Sequence, residues 1–185
     1  MSNKPTKIIR IIIFMLVIFT LFCFHYEQIY GEYPPQVQMV INPINKDKHM
    51  KAVMDYNYIM TDAKNDYIAK INNVVNNYSQ NDPDTRTQLI VQLKEANEQA
   101  TCIFNNTAIP DNIPRKQQKQ LSIARDYYYK ALDNSSEFEK IMQNVNTKED
   151  ISDDELQKLK NCIQEIQVCN AKATQVTNEV IKCFL

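Results

Sequence analysis

The chain has 185 residues, 44% of them hydrophobic, a formal net charge of -1 and a single glycine, Gly31. Only glycine enters left-handed and close-approach backbone conformations without steric cost, so the P-loop, the GxGxxG fingerprint and the GxSxG nucleophile elbow are excluded. A near-neutral charge also argues against a general nucleic-acid binder, which would carry a basic face.

The leading segment reads as a membrane signal. Lys4, Lys7 and Arg10 form a cationic flank, and Ile11 to Phe24 is uncharged and broken only by Thr20. That run has the length of a signal-peptide h-region. Counted from Ile8 to Tyr26, with Arg10 snorkelling to the headgroups, it reaches spanning length. The positive flank stays on the cytoplasmic side. The expectation is an uncleaved signal-anchor over 1–26, in the membrane through residues 8–26. The N-terminus is then cytoplasmic and the C-terminal domain lies outside the cell membrane. The alternative is secretion after cleavage near Gly31, although no A-x-A pattern stands there. Cys23 follows Phe22, whereas a lipidated cysteine would follow a small residue. Residues 27–46 carry Pro34, Pro35 and Pro43, which predict an extended linker.

Beyond the linker, apolar residues recur at alternating steps of three and four, the period of a helix. The first helix is predicted over 47–80, with a stripe of Val53, Tyr56, Met60, Ala63, Tyr67, Ile71, Val74 and Tyr78. Asp82 and Pro83 then supply an N-cap and a first helical residue. The second helix, 83–106, carries Leu89, Leu93, Ala96, Ala100 and Ile103. Pro110 and Pro114 mark a loop. The third helix, 115–146, carries Leu121, Ala124, Tyr128, Ala131, Ser135, Phe138, Met142 and Val145. The fourth, 153–184, opens on a capping box of Ser152 and Glu155, with Ile151 and Leu156 as its hydrophobic staple. Its stripe is Leu159, Cys162, Ile166, Cys169, Ala173, Val176, Val180 and Cys183. Each stripe buries one face, so the helices need one another. The fold class is all-α: an N-terminal hydrophobic helix, then an antiparallel up-down-up-down four-helix bundle over 47–185 with coiled-coil-like seams. A long coiled-coil hairpin that self-associates is the alternative.

Candidate chemistry is sparse. Cys162 and Cys169 sit seven residues apart, about 10 Å along a helix, too far for a disulfide. They read as small core residues. Cys102 lies off its stripe at the same bundle end as Cys183, and a Cys102–Cys183 disulfide is the pairing predicted for an exported domain. His49 has no partner spacing that suggests a triad. HExxH and the EF-hand loop are both missing, so no metal, cofactor or catalytic residue is assigned. Tyr127, Tyr128 and Tyr129 form one aromatic cluster, a candidate surface for a partner or ligand. Tyr128, Ser135 and Asn170 set polar groups beside otherwise apolar faces, as a ligand site requires. Three N-x-S/T sequons, at Asn77, Asn105 and Asn134, fit the asparagine-rich composition.

These features point to a non-enzymatic, membrane-anchored, extracytoplasmic bundle that contacts a protein partner or itself, without nucleic acid. The alternative is an exported helical module that binds an apolar or lipid ligand.

Overall fold

A computed structural model describes residues 35–78, 82–147 and 151–185 together with Phe19, with side chains from Lys46 onward. Among the described residues the regular structure is helical throughout, with no strand. Four helices follow one another: α1 (Pro35–Asn77), α2 (Pro83–Asn106), α3 (Arg115–Val145) and α4 (Asp153–Lys182).

Local chemistry fixes the helix starts. Asp82 accepts from the Asp84 and Thr85 amides at 3.1 Å each, and Pro83 occupies the first turn, where a donor is not needed. Ser152 and Glu155 form the reciprocal capping box at α4, with acidic Asp153 and Asp154 behind it. α3 starts at Pro114 without a side-chain cap. Instead Gln118 Nε2 reaches back to the Asp111 and Ile113 carbonyls at 3.1 and 2.8 Å, tying the preceding loop to the first turn. α1 departs from expectation. It begins at Pro35, so much of the stretch read as an extended linker is helical. A proline opening a helix loses no bond. Pro43 sits within the helix, where it removes one backbone donor.

Cross-helix contacts give the directions. Asn146, past the end of α3, donates to Thr87 near the start of α2 at 2.9 Å. Toward the other end, Tyr129 of α3 donates to Asn105 of α2 at 2.8 Å. α2 and α3 are therefore antiparallel. Lys46 of α1 donates to the carbonyl of Leu185, His49 meets the Phe184 ring edge-on at 5.6 Å, and Tyr67 reaches Asn170 of α4. α1 and α4 are antiparallel as well. The arrangement is that of a four-helix bundle.

One continuous core fills it, built from Val53, Met60, Tyr67, Leu93, Phe104, Leu121, Tyr128, Phe138 and Val180 among others. The stripes of α1 and α3 are the inward faces. In α2 and α4 the line of burial drifts. Phe104 rather than Ile103 is fully buried at the end of α2. Thr177 rather than Val176 faces the core in α4, and just past its end Phe184 is buried while Cys183 is exposed. A straight helix rotates about 20° per heptad against a seven-residue repeat, so late positions slip to the next residue.

Helix spacing is uneven. α3 and α4 lie closest, and α1 packs on α2 more closely than on either of them. Small residues explain the close pair: Ala124 and Ala131 of α3, with Cys162, Cys169 and Ala173 of α4, are buried. Bulky Tyr56 and Tyr67 on α1 hold that helix away from α3 and α4.

Among the described residues no helix is long and apolar enough to cross a membrane. The expected anchor, residues 8–26, lies outside the described residues apart from Phe19, as does Cys23.

Candidate functional site

The loose seam between α1 and α4 holds two concavities of opposite character. Toward the C-terminal end of α4 lies a groove of about 680 Å³, lined by Lys64 of α1 and by Asn170, Thr174, Gln175, Asn178 and Lys182 of α4. Asn170, Thr174, Asn178 and Lys182 recur every four residues, so they form one row along α4. Toward the opposite end lies an apolar pocket of about 310 Å³. Phe138, Met142 and Leu159 line its buried side, and Val75, Ile151 and Leu156 its solvent side.

Tyr67 and Asn170 join the two helices in the core. The Tyr67 hydroxyl donates to Asn170 Oδ1 at 3.2 Å. Asn170 is 7% exposed, and its Nδ2 has no hydrogen-bond partner among the described residues. The buried hydroxyls of Tyr56 and Tyr128 also lack partners there. Burial pushes the Tyr56 and Tyr67 phenols above the ordinary tyrosine range. The neighbouring Arg125 opposes the shift at Tyr56. On the rim, burial draws the Lys64 ammonium below its usual range. No carboxylate among the described residues pairs with Lys64.

A second buried polar group, between α2 and α3, is closed on itself. Ser135 Oγ donates to Asn97 Oδ1 at 2.6 Å, Asn97 Nδ2 to Glu139 Oε2 at 3.1 Å, and Gln143 Nε2 to Glu139 Oε1 at 2.8 Å. Its members satisfy one another, so it fixes the register of the two helices.

The tyrosine cluster does not form one surface. Tyr128 is 0% exposed and belongs to the core, because it sits on the α3 stripe. Tyr127 lies under the cations of Lys130 and Lys172, at 5.7 and 5.5 Å, on the side toward α4. Tyr129 packs edge-on against Phe104 and bonds Asn105, on the side toward α2. Successive helical residues point about 100° apart, so three in a row face three ways.

Cys102 and Cys183 are separate free thiols, both exposed. The disulfide predicted between them is not formed. α2 and α4 occupy opposite corners of the bundle and scarcely touch, so sharing an end does not bring their cysteines together. Cys102 Sγ accepts from Asn106 at 3.3 Å, and the Cys183 thiol donates to the Glu179 carbonyl at 3.3 Å. Burial pushes the Cys162 and Cys169 thiols up, toward the protonated, unreactive form. Among the described residues no cluster of His, Cys, Asp or Glu has the arrangement of a metal site.

No family model, curated protein or solved structure matches this chain. The chemistry of the seam rests on its own residues.

Of these residues, Asn170 is visible from sequence as an amide beside an apolar stripe. Lys64, Gln175 and Asn178 carry no such signal, since nothing in the chain says that α1 stands off from α4. Ile151 and Leu156 read as a staple; both remain about two-fifths exposed, at 41% and 42%, and line the apolar pocket.

Proposed function

We propose that the chain is a non-enzymatic, membrane-anchored, extracytoplasmic protein: an up-down-up-down bundle with coiled-coil-like seams that engages a protein partner across α1 and α4. The observation that supports this reading is the apolar pocket, walled by Tyr78, Phe138, Met142 and Leu159 and open to solvent beside Val75, Ile151 and Leu156. Partly exposed apolar side chains around a concavity suit the docking of a partner's apolar side chain, as in helix-in-groove recognition. The free energy lost by leaving that surface wet is recovered when a partner covers it. The anchor over residues 8–26 brings the bundle to the membrane surface and raises its effective concentration against a membrane-borne partner.

A second reading has its own support. A volume of about 310 Å³ sits at the lower end of small-molecule sites, roughly 300–1,000 Å³, so an apolar or lipid ligand also fits the pocket. Crosslinking of the full chain in intact membranes separates the two. The partner reading expects protein adducts, whereas a non-contacting monomer that retains a lipid in native mass spectrometry would favour the ligand.

A further inference from the structure

The groove beside Lys64 holds an amide donor with no partner among the described residues and an ammonium that no carboxylate there pairs. Asn170 is almost wholly buried, spends its Oδ1 on Tyr67, and has an unpartnered Nδ2 among the described residues. It lines the same groove as Lys64, which stands on α1 about one turn before Tyr67. Lys64 is half-buried, and no carboxylate among the described residues pairs with it. Glu179 is the one acid in the lining, and the Gln175 amide already donates to it at 3.1 Å. Lys182 adds a second cation on the same wall, so two lysines face one glutamate.

We propose that this groove is a carboxylate-binding site, in which one ligand oxygen takes the Lys64 ammonium and the other takes Asn170 Nδ2. A carboxylate has two acceptor oxygens and one charge, which matches one cation and one neutral donor. The site does not depend on a protein partner at the apolar pocket, and it would exist in an isolated bundle. The carboxylate belongs either to a small free acid or to an acidic residue of a peptide.

The test follows the Asn170 side-chain amide of the full chain, in non-ionic detergent, by nuclear magnetic resonance. Acetate, a blocked aspartyl peptide and chloride at matched ionic strength are titrated separately. A saturable shift with acetate or the peptide is expected, with an affinity on the order of 1 mM. Lys64→Met should weaken it at least about tenfold, while Lys64→Arg, which keeps the charge, should stay within about threefold. Both lysine variants change a half-exposed side chain and leave the Tyr67–Asn170 contact in place. Tighter binding of the peptide assigns the peptide source, and equal or tighter binding of acetate assigns the free acid. An equal response to chloride, a shift that never saturates, or an unchanged midpoint in Lys64→Met overturns the site.

Discussion

Tyr56 and Tyr67 point from the same face of α1 into the same core, yet their hydroxyls end differently. Tyr67 bonds Asn170, while Tyr56 finds no partner among the described residues. A buried hydroxyl without a partner forfeits its hydration, and a paired one recovers it. Tyr56→Phe should therefore be neutral or stabilising. Tyr67→Phe should cost about 0.5–1.5 kcal/mol and leave Asn170 with less to hold it. Urea denaturation followed by circular dichroism ranks the two, and a larger loss for Tyr56→Phe would count against the assignment. Both phenols are pushed up by burial. Their neutral forms are favoured in the folded state, so this stabilisation is complete below the unfolded tyrosine value of about 10 and is lost as pH rises above it. An alkaline titration should show Tyr56 and Tyr67 ionising together with the loss of helical signal. Ionisation while helicity is retained would place them nearer solvent than the structure does.

At the scale of the element, the capped starts of α2 and α4 were the most legible part of the sequence, whereas the start of α1 was missed. The capping box at Ser152 and the Asp82–Pro83 pair follow from side chains within a few residues of one another, and both appear in the structure. Ser152→Ala should cost about 1 kcal/mol and fray the first turn of α4, seen as faster amide exchange there. No change in exchange would mean that packing, not the cap, holds that end. The inward stripes of α1 and α3 were legible for a related reason: burial follows the helical period over many turns. What blurred was the far end of α4. A strict seven-residue count puts Cys183 on the stripe, whereas α4 ends at Lys182 and the turn beyond it brings Phe184 inward and leaves Cys183 exposed. The buried Asn97–Ser135–Glu139 group was only partly visible. Ser135 interrupts an apolar stripe, but Asn97 and Glu139 look like surface residues until the register of α2 on α3 is known.

On the scale of the whole molecule, the seam was not written in any one segment. It arises because small side chains let α3 and α4 close together while tyrosines keep α1 at a distance. Spacing between helices is a property of pairs, and a single stripe does not report it. The same reason defeats the predicted disulfide: two helices that share an end still occupy opposite corners. The seam then carries both candidate activities, an apolar pocket for a partner and a donor-rich groove for an acid, on a part of the bundle where the fold leaves α1 and α4 loosely joined.

A photo-crosslinking amino acid, installed singly in the full chain expressed in its native cells, addresses that arrangement directly. Val75 on the seam, Val91 on α2 and Ile123 on α3 are matched in exposure, at 50%, 47% and 49%, so accessibility alone does not separate them. Position 75 should give a discrete protein adduct at several-fold higher yield than positions 91 and 123. Equal yields from all three, or adducts arising mainly from α2 or α3, would contradict recognition across α1 and α4.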